Sequence, residues 1–144
     1  MRGKRIAMIL QSPMTAFNPL FTIGNQVTET LCRHLQCTPQ EALALMADTF
    51  GKVNLRDPQQ LFGKYPHELS GGMLQRIITS FAIALKPELI IADEPTTAID
   101  YISQREVIKE LQSIRDLFQT SIIFISHDLS LVSHIADQIG RAHV

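Results

Sequence analysis

Two short apolar runs, "ELIIA" at 88–92 and "SIIFIS" at 121–126, constrain the fold more than any other feature of this chain. Each is too short for a helix and lacks the polar alternation of a half-solvated strand, so each reads as a buried strand of a parallel sheet covered on both faces. Between them, over Tyr101–Phe118, the residues Val107, Ile108, Leu111, Ile114 and Phe118 fall on one stripe at helical spacing. Strand, helix and strand in that order require a crossover that lays the helix over the sheet. Ile6 to Leu10 is a third short apolar run, read as another buried strand. The fold class expected is therefore α/β with a parallel sheet.

The segment between the first strand and Pro87 is helical in character. "QSPMTAFNPLFT" carries two prolines and reads as loop. Phe21 to Leu35 is expected to be helical. Thr38-Pro39-Gln40-Glu41 has the pattern of a capping box with proline at the first helical position, and that helix is expected to stop at Gly51. Asp57-Pro58 marks a shorter helix start, and "GKYPHEL" a linker. Ser70 is a good N-cap for a helix that is apolar nearly all round from Met73 to Leu85, hence buried. "HDLSLVSHIA" starts a last helix.

At 144 residues with a net charge of −1 and no block of like charge, the chain has the composition of a globular domain and not of a nucleic-acid-binding surface. No apolar run is long enough to span a bilayer. Ile6–Leu10 is also shorter than the roughly 7 residues a signal core needs. Two cysteines, Cys32 and Cys37, cannot build a disulfide framework, and a reduced, cytosolic setting is the default. Their spacing on a helical stretch fits no standard zinc site.

The chemistry-bearing residues gather at the ends of the expected strands. "LIIADEP" delivers two carboxylates, Asp93 and Glu94, to the C-terminal edge of the sheet, where open parallel sheets bind ligands. Adjacent side chains diverge, so one carboxylate suits a magnesium ion, often through water, while the other orients or deprotonates an attacking water. His127, in "SHD", emerges at the same edge. Gln11 follows the first strand with an amide able to bond a metal-bound water. In "LSGGMLQR", Leu69–Arg76, Ser70 and two glycines open a helix whose free N–H groups attract anions. Taken singly each feature is commonplace. A histidine after a strand is usually structural, and Gly-Gly is a frequent helix opening.

In combination and in this order, Gln11, "LSGGMLQR", "LIIADEP", "TAID" and "SHD" resemble the ATPase domain of ATP-binding cassette (ABC) proteins, from about Ile6 to Gln138. The resemblance implies that Gln11 is the Q-loop residue and Ser70, Gly71 and Gly72 the signature motif. It implies that Asp93 is the Walker B acid, Glu94 the catalytic base, Asp100 the D-loop residue and His127 the switch histidine. Its ligands would be ATP and Mg2+, with Asp93 and Gln11 serving the magnesium, partly through water. The signature helix would face the γ-phosphate bound to an opposing cassette. The fold implied is part of a P-loop NTPase (RecA-like) sheet, about 87–139, with an inserted helical subdomain at about 12–86.

Met73 stands where the general pattern has glutamine. With "FNPL" and "QSPM" it resembles the peptide/nickel importer branch, nearest to nickel or metallophore importers. Ile99 stands where leucine is usual. The partners implied are a second ABC ATPase subunit, two transmembrane permease subunits and, indirectly, an extracytoplasmic solute-binding protein, at the cytoplasmic face of a bacterial membrane and without nucleic acid. Import of dipeptides or oligopeptides, a non-transport ABC ATPase and a non-catalytic half-cassette are the alternatives. No G-x-x-x-x-G-K-[ST] occurs in the sequence. The resemblance places that motif before the Q-loop, so an amino-terminal truncation with the first strands and P-loop missing is expected, and with it an inactive fragment. Gly140–Val144 is expected to be a sequencing-adapter artefact, because "IGRAHV" is what a common adapter read would encode.

Overall fold

A computed structural model describes residues 5–96, 101–128, 132–133 and 136–137. Among the described residues three parallel strands form a sheet: β1 (Ile6–Ile9), β2 (Leu89–Asp93) and β3 (Ser121–Ile125), in that spatial order. Ile9 pairs with Ala92, and Ala92 with Phe124, so all three strands end at one edge. At the opposite edge Arg5 grips Glu88 with two charge-assisted bonds of 2.9 and 2.6 Å, which aligns the starts of β1 and β2.

The strands are those expected, but their burial is not. Ala7, Ile9, Ile90 and Ala92 share one face and are buried, with Ile122 and Phe124 extending the row half-buried. Met8, Ile91, Ile123 and Ile125 lie on the other face. Ile123 is 49% and Ile125 46% exposed. Among the described residues the sheet is thus fully packed on one face only, which corrects the expectation of two covered faces. The packed face belongs to a single apolar cluster that includes Val107, Leu111 and Ile114. Those three come from the predicted stripe on the helix between β2 and β3.

Four helices precede β2: α1 (Ile23–Leu35), α2 (Pro39–Lys52), α3 (Pro58–Gly63) and α4 (Gly71–Ala84). The fifth, α5 (Tyr101–Phe118), crosses from β2 to β3. α1 starts two residues later than expected because Thr22 takes the N-cap, its hydroxyl accepting from Asn25 N–H. The capping box of α2 forms as predicted. Glu41 accepts from the Thr38 N–H at 2.8 Å, and the Thr38 hydroxyl accepts from the Glu41 N–H. α2 runs one residue past Gly51. Lys52 bonds Asp48 one turn back at 2.6 Å, and buried Phe50 and Val53 anchor the end. Pro13–Ala16, expected as loop, closes a 3-10 turn, as does Pro66–Glu68.

α4 is buried nearly all round, as its sequence implied. It tolerates Thr79 and Ser80 inside because their hydroxyls donate to the carbonyls of Gln75 and Arg76 one turn back. α1 meets α3 closely at Gly24, where a Cβ would lie 2.9 Å from the Phe62 carbonyl oxygen and 3.1 Å from the Phe62 Cβ. Backbone cannot yield there as a flexible side chain would. Gly24→Ala is therefore expected to lower stability by about 1–3 kcal/mol despite alanine's better helix propensity. Urea denaturation measures this, and an unchanged midpoint would show that the helices part freely.

Candidate functional site

The sheet register decides which residues meet. Ile9 stands beside Ala92, and Asp93 beside Ile125, so continuing each strand brings Gln11, Glu94 and Ser126 to one level just past the edge. Asp93 closes β2. Glu94 then turns sharply, with φ at 45°, a left-handed conformation that glutamate adopts only at a cost of about 1–3 kcal/mol. It is held there by its own N–H, which donates to the Ile125 carbonyl at 2.9 Å. The turn swings the carboxylate between its two neighbours. Gln11 Nε2 donates to Glu94 Oε2 at 2.9 Å, and His127 Nδ1 lies 2.9 Å from Glu94 Oε1.

Three of the expected site residues, 83 and 33 positions apart in sequence, are therefore in direct contact. The two side-chain donors fix the carboxylate's orientation. The Glu94 side chain keeps 25% of its surface exposed and that of His127 71%. The hydrogen bond that Glu94 accepts from His127, and then the Glu94 charge, raise the His127 pKa above the ordinary imidazole value, with Asp128 adding a smaller push. A raised pKa means that the pair contributes stability below the unfolded value near 6.5, and that this contribution is lost as pH rises through the folded value. Imidazole resonances of His127 are expected to titrate above the ordinary range, and Glu94→Gln is expected to bring the midpoint back toward it. Identical midpoints in both proteins would dissolve the pair.

Ser70, Gly71 and Gly72 form a second feature, at the start of α4. The Ser70 hydroxyl accepts from Met73 N–H at 3.3 Å, and its carbonyl from Leu74 N–H at 3.0 Å. Helix geometry leaves the amides of Gly71 and Gly72 without an intrahelical acceptor. A Cβ at Gly72 would meet nothing within 4 Å. Packing within this chain thus does not require glycine at position 72, where the space a Cβ would occupy is open. Asp100 lies outside the described residues, as does half of the last expected helix.

Arg76, in the same sequence stretch, was given no role, and its position gives it one. Its guanidinium bonds Glu106 at 2.6 Å and lies 2.9 Å from buried Glu110, joining α4 to α5. Burial pushes the Glu110 pKa up to about 7, against the pull of Arg76, with Glu106 adding to the rise. A carboxyl raised in this way weakens the fold as pH climbs from its unfolded 4.5 to about 7, with no further change above that. Arg76→Ala leaves this buried carboxylate without its cationic partner. We expect a loss of about 2 kcal/mol or more at pH 8 and less at pH 5, read from urea unfolding at both. A pH-independent loss would mean that Arg76 acts only by packing. The only sequence signal was a lone arginine in an otherwise apolar helix. Gln104, also unassigned, donates from α5 to the Thr96 carbonyl at 3.0 Å, bracing the loop after Glu94.

The sequence matches the family described as ABC transporter over residues 1–97. It is 45% identical over 138 residues to the metal-staphylopine import system ATP-binding protein CntD of Staphylococcus aureus (strain NCTC 8325 / PS 47), an alignment covering 96% of this chain and 51% of the relative. It is 43% identical over 139 residues to the oligopeptide transport ATP-binding protein AmiE of Streptococcus pneumoniae serotype 4, covering 96% and 39%. The chain thus spans about half or less of the length of these curated relatives. Among solved structures it resembles the dimeric post-hydrolysis state of the ATP-binding cassette MJ0796 bound to ADP and Pi, with a TM-score of 0.74 at 22% identity over 90% of this chain and 55% of that one. It also resembles cbiO1 of Clostridium perfringens, part of the ABC transporter complex cbiONQ, with a TM-score of 0.78 at 21% identity over 93% and 51%. At such identities the structural likeness concerns the fold.

Proposed function

Because this chain belongs to the ABC transporter family, we propose that it is part of the ATP-hydrolysing subunit of an importer for nickel, a metallophore or oligopeptides. The observation that carries this reading is Glu94, held in a strained turn at the sheet edge between Gln11 and His127. On this reading Glu94 orients and deprotonates the attacking water, a role worth about 10²–10⁴ in rate. His127 keeps Nδ1 on Glu94 and offers Nε2 to the γ-phosphate. The open amides of Gly71 and Gly72, with Ser70, face the γ-phosphate of a nucleotide held by a second ABC ATPase subunit. Asp100 contributes to the same junction.

Mg2+ fits the donors present. Asp93 offers a hard carboxylate at the edge, and Gln11 spends its amide N–H on Glu94, leaving its carbonyl oxygen without a partner among the described residues. Two protein oxygens are what a magnesium site completed by water and substrate phosphates asks for. Bound there, the ion would neutralise phosphate charge. The phosphate cradle and its lysine are not among these 144 residues, so this stretch alone is expected not to turn over ATP.

Among the described residues no helix is long and apolar enough to cross a membrane. The proposed partners that do cross are two permease subunits, fed by an extracytoplasmic solute-binding protein. The helices between Gln11 and Ser70 would dock on the permeases from the cytoplasmic side. The relatives named for metal-staphylopine and for oligopeptide import support the two substrate classes. Uptake into vesicles carrying the full assembly, with a nickel–metallophore complex and an oligopeptide offered in turn, tests this. ATP-dependent uptake of either one is the expected result. ATP hydrolysis without uptake of either would favour a non-transport ATPase.

A further inference from the structure

We propose that a cavity walled by α2, α4 and α5 binds a tetrahedral dianion, either free phosphate or the phosphate of a small monoester. The cavity has a volume of about 420 Å³, within the range of small-molecule sites. Val53 and Leu55 are buried, and the Leu55 N–H donates to the Phe50 carbonyl at 2.9 Å, which pins the loop after α2. The alternate residues Asn54 and Arg56 are thereby left exposed, with Asn54 in the left-handed conformation at a φ of 55°. On α5 the buried stripe of Val107, Ile108 and Leu111 leaves Glu106 and Lys109 on the outer side. Arg76 enters the cavity from α4 and Lys52 from the end of α2. None of these wall residues belongs to the group around Glu94.

The charges on the walls do not balance. Lys52 is answered by Asp48 at 2.6 Å. Arg76 is shared between Glu106 at 2.6 Å and Glu110 at 2.9 Å. Arg56 and Lys109 form no ion pair among the described residues, so two positive charges line the cavity unanswered. A guanidinium offers a planar fork that matches phosphate oxygens, and an ammonium adds a point charge. Glu110 supplies a third group. Its side chain is 8% exposed, and Oε1 is buried without a hydrogen bond although Arg76 Nε lies 2.9 Å away. Burial pushes this carboxyl up to about 7, against the pull of Arg76, so it takes up a proton near neutral pH. Protonated, Glu110 no longer repels an anion and can donate to one of its oxygens. Two free cations and a proton donor suit a dianion with several acceptor oxygens better than a single carboxylate.

Titration of the full chain with sulfate, inorganic phosphate and glycerol phosphate tests this, read from the NMR shifts of the Asn54 and Lys109 amides and of Arg56 Nε. All three anions are expected to shift these signals. Glycerol phosphate binding more tightly than inorganic phosphate assigns the site to a monoester, and equal binding assigns it to free phosphate. Sulfate keeps its two charges near neutral pH, so the pH dependence of its affinity reports the protein alone. It should bind at least about threefold more tightly at pH 6 than at pH 8, because the anion is held best with Glu110 protonated. Glu110→Gln, a donor at either pH, should remove that dependence. Arg56→Ala combined with Lys109→Ala, both at exposed positions, should keep the fold and weaken all three anions by at least about tenfold. An absence of shifts at these residues, a sulfate affinity indifferent to pH, or equal affinities in the double variant would each overturn the proposal.

Discussion

Glu94→Gln in the assembled ATPase is expected to cut ATP turnover by about 10²–10⁴ while leaving nucleotide binding intact. The substitution is nearly isosteric, so it keeps the left-handed turn, which depends on the backbone bond to Ile125. An amide can still meet Gln11 and His127 but cannot take a proton from water. The effect should therefore fall on the chemical step and leave ATP affinity within a few-fold. ATP-bound dimers should accumulate, visible as a doubled mass in light scattering. Wild-type turnover in this variant would remove Glu94 from the mechanism.

Gly72→Asp is expected to be nearly as damaging, by a different route. A Cβ at Gly72 has open space around it, so the isolated variant should fold with the stability of the parent. A carboxylate near the start of α4 even favours the helix through its dipole. In the assembly the same carboxylate would meet the γ-phosphate of the opposing nucleotide and block the two open amides. Loss of a preorganised donor to developing charge is worth about 10²–10³ in rate, and like-charge repulsion adds to it. The expected pattern is thus unchanged unfolding with hydrolysis reduced by at least about 10²-fold. A variant that unfolds would instead make Gly72 a packing glycine, and one that hydrolyses normally would place the nucleotide elsewhere.

The alternation of helix and strand periods made the parallel sheet legible in advance, and so did the order of Gln11, Ser70, Asp93, Glu94 and His127. The geometry that joins them was not. Nothing local in "DEP" reveals that Glu94 takes a left-handed turn, because the strain is held by a bond to Ile125, 31 residues later. Ile123 and Ile125 read as core because an apolar strand has the same sequence whether or not a helix covers it. The Arg76–Glu110 pair escaped notice since each charge looks like an ordinary surface residue of its own helix until the helices are packed.

The most direct measurement is hydrogen–deuterium exchange of the assembled protein with and without saturating Mg-ATP, read on peptides covering Ser70–Leu74 and Glu94, and on one covering His127. The account predicts slowed exchange at the Gly71 and Gly72 amides together with protection around His127, by at least about tenfold at each, because both features close on the same phosphate. Protection around His127 alone would break the link between the two features. Exchange at both places unchanged by nucleotide would contradict the claim that this chain acts on ATP.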